Sequence, residues 1–199
     1  MEEKPRVKIL GLMGSPKKKG NADLLLDRAI QGAESAAAQG EKVLVSELKI
    51  APCLACGDCE RTGECVVHDD MQEVYPKLRE ADGIIVSTPV FFMGLPAQLK
   101  ALVDRCQPFW TRKYLLAAAV SKKRAGLLIA VGGTNLPHTF DAIRLEVKSF
   151  FHCLEVKYSG ELLFPGVEEA GEIANHPEAL SRAYQAGREL ARSLKSAEK

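Results

Sequence analysis

The 199-residue sequence has no apolar run near the ~20 residues needed to span a bilayer. Its longest runs, such as Leu115–Val120 and Gly126–Val131, suit a buried helix or strand. Surplus charge is also missing. Lys and Arg number 27 and Asp and Glu 26, leaving a net charge of +1. General nucleic-acid binding draws on excess cationic charge, so it is disfavoured. The start, Met-Glu-Glu-Lys-Pro-Arg, has no apolar signal-peptide core, which implies a cytoplasmic protein. No repeat, low-complexity tract or interdomain linker is present. What is there is an ordinary globular composition, 46% hydrophobic and 27% charged. The length suits a single domain over residues 1–199, able to bury a core without disulfide staples.

Hydrophobic periodicity gives alternating strands and helices. Val7–Met13 reads as a buried strand ending at Gly14, and residues 21–38 as a helix with Leu26, Ala29, Ile30, Ala33 and Ala37 in one stripe. Val43–Leu48 reads as strand two. A turn-rich stretch, 51–69, precedes a helix from about Asp70 that presents Met71, Val74, Tyr75 and Leu78 on one face and contains Pro76. Gly83–Thr88 is strand three. Leu99, Leu102, Val103 and Cys106 mark a helix that breaks near Pro108. Ala125–Val131 is strand four, 137–152 is helical, Leu154–Phe164 holds strand five, and 176–195 forms the last helix. The alternation predicts an α/β fold, a doubly wound five-stranded parallel sheet of order 2-1-3-4-5, with ligands beyond the carboxyl ends of the strands.

The loop after strand one, Gly14-Ser15-Pro16-Lys17-Lys18-Lys19-Gly20-Asn21, places glycines, a hydroxyl and lysines at a helix N-terminus. Free N–H groups and the helix dipole favour a phosphate there, with Asn21 as N-cap. Two nucleotide motifs are absent. Gly20 is followed by Asn21 and Ala22, which is not Walker A. Gly11 and Gly14 are too far apart to open a Gly-x-Gly-x-x-Gly. A lone phosphate therefore fits better than a pyrophosphate, and the competing reading is a solvated lysine run. The loop after strand three, Thr88-Pro89-Val90-Phe91-Phe92-Met93-Gly94-Leu95-Pro96, is apolar for a loop and suits a planar aromatic ligand or a subunit neighbour. Lys100, Asp104 and Arg105 sit on the polar side of the next helix and read either as an i, i+4 Lys–Asp pair plus a surface arginine or as ligand contacts.

The sharpest signal is Cys53-x2-Cys56-x2-Cys59-x5-Cys65, four of the six cysteines within thirteen residues. Clustered cysteines in a reducing cytosol point to metal or redox chemistry, not disulfides. Short spacers let the thiolates converge, and Gly57 and Gly63 permit tight turns. Four thiolates suit a 4Fe–4S cluster. Four-cysteine zinc sites usually pair two knuckles across a longer spacer, so zinc is the weaker reading. Four free thiols without metal is the bland alternative. Cys106 and Cys153 read as core residues. His68, His138, His152 and His176 read as surface or helix-end residues.

These residues resemble the iron–sulfur flavoproteins of the flavodoxin-like NADPH-dependent FMN reductase superfamily. The markers are Gly14-Ser15-Pro16-Lys17 to Asn21, the cysteine run, Asp69-Asp70-Met71, Ala81-Asp82-Gly83-Ile84-Ile85 with Pro89-Val90, and Gln98-Leu99-Lys100-Ala101 to Asp104-Arg105. The resemblance implies that Ser15, Lys17, Gly20, Asn21 and Ala22 meet an FMN phosphate. It implies that Pro89, Val90, Phe91, Phe92 and Met93 border the isoalloxazine ring, with Gly133 and Thr134 at another edge. It implies that Cys53, Cys56, Cys59 and Cys65 hold a 4Fe–4S cluster and that the protein is a homodimer or homotetramer. The chain departs from the family in three places: Ala22 stands for a usual Thr, Phe91 for a Tyr and Met93 for a Gly. The loss of the Thr hydroxyl is expected to weaken FMN binding without abolishing it, and Met93 to narrow access to the ring.

The implied activity is electron transfer by an FMN-dependent oxidoreductase, with a one-electron donor such as ferredoxin, the cluster and FMN in series and no side chain acting as general acid or base. Two other readings are an NAD(P)H-dependent FMN or quinone reductase without a working cluster, and a non-catalytic zinc- or flavin-binding module.

Overall fold

A computed structural model describes residues 6–118 and 122–195, so part of the Leu115–Val120 run and the extreme N-terminus lie outside the described residues. The strands are β1 (Lys8–Met13), β2 (Gln39–Leu44), β3 (Gly83–Pro89), β4 (Ala125–Val131) and β5 (Lys157–Phe164). The helices are α1 (Asn21–Ser35), α2 (Cys59–Thr62), α3 (Met71–Glu80), α4 (Ala97–Asp104), α5 (Gln107–Tyr114), α6 (Asp141–Cys153) and α7 (Pro177–Lys195). All strand pairs are parallel and the order is β2-β1-β3-β4-β5, as the alternation predicted.

The central strands are buried on both faces, and their side chains divide with period two. Leu10, Leu12, Ile84, Val86, Leu128 and Ala130 meet α3, α4 and α6 on one face. Ile9, Met13, Ile85, Leu127 and Ile129 meet α1 and α7 on the other. Each fully buried Leu or Ile is worth about 1.5–3 kcal/mol, so the two cores dominate the energetics of six- and seven-residue strands. Among the described residues, no helix is long and apolar enough to cross a membrane.

Two local expectations shift. Strand two lies earlier than Val43–Leu48: β2 is Gln39–Leu44, and Val45–Glu47 winds into a 3-10 turn. As an edge strand it is half solvated, so Gln39, Glu41 and Lys42 conceal it from a search for apolar runs. The expected break near Pro108 is present. Pro108 itself occupies the first turn of the next helix, α5, where an N–H has no intrahelical partner, and the break falls at Arg105–Cys106. α6 begins at Asp141, after the Leu136–Phe140 turns, so residues 137–140 are not helical. Pro76 lies within α3, which continues to Glu80.

Helices α1 and α7 approach backbone to backbone through glycines. A Cβ at Gly187 would run into the Ala29 carbonyl, and one at Gly32 into the Tyr184 carbonyl. Neither obstacle is a side-chain tip that can swing away. Gly160 on β5 differs, since its Cβ would stand 3.7 Å from a Leu127 methyl in ordinary contact. Gly187→Ala is therefore expected to destabilise by about 1–3 kcal/mol through overpacking, despite its gain of about 1 kcal/mol in helix propensity. Gly160→Ala is expected to be neutral or stabilising. Urea denaturation of the two variants checks the contrast.

Candidate functional site: a cleft and a cysteine cavity at the carboxyl end of the sheet

Parallel strands send every strand-to-helix loop to the same end of the sheet. The loops after β1, β3, β4 and β5 enclose a cleft of about 350 Å³. Ser15, Lys17, Gly20, Asn21, Ala22, Pro89, Val90, Phe91, Phe92 and Gly133 all line it, together with Val131, Val167, Glu168 and Ala170. The structure thus gathers ten of the twelve residues expected at one ligand. Met93 and Thr134 are adjacent in sequence to lining residues but do not line the cleft.

Backbone geometry prepares the first loop. Lys17 N–H donates to Ser15 Oγ at 3.1 Å, and Gly20 N–H to the Lys17 carbonyl at 3.3 Å. The N-cap of α1 is Gly20, and no side chain caps that end. The first-turn N–H groups thus have no intrahelical partner and suit an anion. Asn21 is not the N-cap. Its Nδ2 donates to the Glu169 carbonyl at 2.9 Å and its Oδ1 accepts Ile173 N–H at 3.1 Å, which pins the loop after β5 against α1. Among the three lysines, Lys18 pairs with Glu47, while Lys17 faces the cleft. Asp23 sits in the first turn, where a carboxylate would oppose an anion, but Lys42 pairs with it at 2.9 Å and Lys19 N–H donates to it at 2.7 Å.

The loop after β3 makes a two-residue reversal, with Phe91 and Gly94 exchanging N–H···O bonds of 3.0 and 2.9 Å. Phe92 (φ 47°) and Met93 (φ 65°) both occupy the left-handed region. Phe92 is fully exposed. That conformation costs a non-glycine residue about 1–2 kcal/mol. Across the cleft, the Glu168 carboxylate reaches into the space a Cβ on Gly133 would take, so a larger residue there requires that side chain to swing away. Sequence reasoning missed the wall formed by Val167, Glu168 and Ala170. A turn-rich stretch of glutamates carries no periodic signal.

The cysteine run forms a second cavity of about 320 Å³, lined by Cys53, Cys56, Cys59 and Cys65 together with Leu54, Val66, Val67, Arg105 and Pro108 among others. Left-handed Ala55 (φ 51°) and Gly57 (φ 80°) turn the chain on either side of Cys56. Gly63 (φ 70°) closes the single-turn helix α2. Cys53 and Cys56 are exposed; Cys59 and Cys65 are half-buried. No three of the described His, Cys, Asp and Glu side chains are gathered closely enough to hold a single metal ion. Burial pushes the Cys59 thiol up against the Thr111 hydroxyl that donates to it at 3.8 Å, and neighbouring Cys65 and Cys53 add to the rise. Cys106 is buried and Cys153 half-buried. Burial raises both thiols, that of Cys153 to about 11, consistent with packing residues.

Two elements brace this loop. From α5, Arg112 Nε donates to the Gly63 carbonyl at 2.7 Å. From the end of α4 comes Arg105, which is not the expected surface residue: it is 1% exposed. Its guanidinium donates to Asp69 at 2.7 and 3.1 Å, to the Ala51 carbonyl at 2.8 Å and to the Val67 carbonyl at 3.2 Å. The expected Lys100–Asp104 pair does form, at 2.7 Å. The histidines stay outside both cavities; His138 pairs with Asp141 at 2.6 Å and is exposed.

The family model for NADPH-dependent FMN reductase matches residues 7–135. An iron-sulfur flavoprotein of Archaeoglobus fulgidus is 33% identical over 191 residues, covering 96% of this chain and 81% of the relative. The chain belongs to the iron–sulfur flavoprotein family of the FMN reductases. Another iron-sulfur flavoprotein, from Methanosarcina thermophila, is 40% identical over 129 residues, which are 65% of each chain. A solved NAD(P)H:quinone oxidoreductase from Methanothermobacter marburgensis shares the flavodoxin-like fold, with a TM-score of 0.72 at 19% identity over 94% of this chain and 96% of that one. A flavone reductase structure has a TM-score of 0.74 at 23% identity, covering 96% of this chain and 64% of that one.

Two tests follow from the geometry of this family member. Burial works against the charged form of Asp69, but the hydrogen bonds of Arg105, Ala51 N–H and Met71 N–H outweigh it and hold the carboxyl below its usual range. A lowered folded pKa contributes stability that is present above the unfolded value, about 3.9, and is lost as pH falls through the folded value. In the apoprotein, wild type is therefore expected to exceed Asp69→Asn in unfolding free energy at pH 6, with a margin that shrinks below about pH 4. A margin constant down to pH 2 would contradict this. Met93→Gly relieves a left-handed side chain and is expected to raise the denaturation midpoint by about 1 kcal/mol equivalent.

Proposed function

We propose that this chain is an electron-transfer flavoprotein that holds FMN in the cleft and a 4Fe–4S cluster in the cysteine cavity. The observation that carries the reading is that four cysteines from one short run line one cavity, while a separate cleft of ligand size lies beside the N-terminus of α1. The donor set fits a cluster better than zinc. One tetrahedral ion needs its sulfurs within about 2.3 Å of a single point. A cube spreads its thiolates over separate irons. Four cysteines ringing a cavity of about 320 Å³ suit the second demand.

FMN exchanges one or two electrons and a cluster one, so the pair links a one-electron donor such as ferredoxin to two-electron chemistry. The chain's own residues bind and orient. Lys17 and the first-turn N–H groups of α1, with Ser15 and Gly20, would take the phosphate. Asn21 contributes its N–H, because its side chain is committed to the loop after β5. Pro89, Val90, Phe91 and Phe92 offer an apolar border to a planar ring, and Met93 and Thr134 follow lining residues in sequence. Ala22 offers no hydroxyl to the phosphate. We place no side chain as general acid or base.

NAD(P)H as donor remains the second reading, supported by the FMN reductase family match. The described thiols are all unpaired, which suits a reducing, cytoplasmic setting. Exposed Phe92, Met93, Leu136 and Leu145 suit burial in a homodimer or homotetramer. The same reading treats 1–199 as one domain with 51–69 as a compact insertion.

Anaerobic purification with metal, sulfide and flavin analysis tests the proposal. About four iron and four sulfide per FMN are expected. Cys59→Ala is expected to lose the cluster absorbance and keep FMN. Zinc in place of iron, or full iron and sulfide in that variant, overturns the assignment. Rapid bleaching of FMN by NAD(P)H in iron-free protein favours the second reading.

A further inference from the structure

Arg105 is the largest fully buried side chain in the described protein, and it lines the cysteine cavity. Three features set it apart from a loop clamp alone. Its terminal nitrogens are used up by Asp69 and by the carbonyls of Ala51 and Val67, which bracket the cysteine run at both ends. Its Nε, by contrast, is buried and has no hydrogen-bond partner. Such a donor is costly to bury unless something accepts from it. Its positive charge also interacts with Cys65, one of the four cysteines, and with Tyr75, whose hydroxyl donates to the Arg105 carbonyl at 2.7 Å. Asp69 is already paired with it, and Glu60 stands on the wall of the same cavity.

We infer that Arg105 is a positioning and electrostatic residue for the group held by the cysteines: its buried charge and spare Nε–H stabilise the electron added when that group is reduced. Asp69 orients the guanidinium and partly offsets its charge. Reduction adds one electron from a one-electron donor such as ferredoxin and requires no proton at the site. A charge buried as Arg105 is acts at greater strength than one in open water. The pair therefore sets the reduction potential through two terms of opposite sign.

The inference rests on the cluster reading above, and its test separates the two. The cluster potentials of wild type, Arg105→Met, Arg105→Gln, Arg105→Lys and Asp69→Asn are measured by EPR-monitored redox titration, alongside iron and sulfide content and apoprotein thermal unfolding. Loss of the positive charge in Arg105→Met or Arg105→Gln is expected to lower the potential. Loss of the negative charge in Asp69→Asn is expected to raise it. Arg105→Lys is expected to stay nearest wild type. A merely structural role, acting through a looser and wetter loop, would move both kinds of variant in the same direction. Potentials that shift together, or not at all, overturn the inference and leave the cluster reading intact. If neither neutral variant holds a cluster, retention in Arg105→Lys supports the charge, and loss in all three overturns it in favour of a clamp. A wild-type chain that takes up no iron and sulfide overturns the cluster reading and this inference with it.

Discussion

A parallel sheet covered by helices on both faces has little room for function along its length. β1, β3 and β4 are buried almost end to end, so their polar work is confined to their termini. Every parallel connection must also return across a face, which delivers all five strand-to-helix loops to one end. Both cavities follow from that constraint. The opposite end is handled differently. There Arg124 is buried and its guanidinium caps the carbonyls of Leu78, Ala81 and Leu154 at the ends of α3 and α6, a purely internal use of charge.

The two cavities solve different problems. The cleft is built mainly from backbone: an uncapped helix start, a left-handed apolar turn and a glycine that makes room for Glu168. The cysteine loop is long and mostly exposed, with no strand or long helix of its own. It depends on side chains reaching in from α4 and α5. Arg105 ties down both of its ends, and Arg112 holds its middle at Gly63. Ordering so open a loop is entropically costly, and a buried, charge-assisted anchor offsets that cost better than surface contacts can.

Much of the fold was legible because its signal is periodic. Leu10, Leu12, Ile84 and Val86 alternate as strands do, and Leu26, Ala29, Ile30 and Ala33 recur as a helix face does. Strand two was misplaced because an edge strand needs only one apolar side. Residues 137–140 read as helix because they border one, yet they bend through turns of their own. Of the candidate site, the glycine-and-lysine loop and the apolar loop were readable from composition at a predicted strand end. Arg105 was misread because its sequence neighbours Lys100 and Asp104 do form the exposed pair expected of that helix face.

The sequence by itself determined what depends on short separations: the alternation of strands and helices, the thiolate spacing in Cys53–Cys65, and the anion-friendly loop before α1. The tertiary structure alone decided the partners. Arg105 meets Asp69 across 36 residues, and Asn21 meets Glu169 and Ile173 across 148 and 152. Such contacts have no local pattern. They exist only because a two-faced parallel sheet brings the ends of distant strands to one side, where buried polar groups must find partners or leave one unsatisfied.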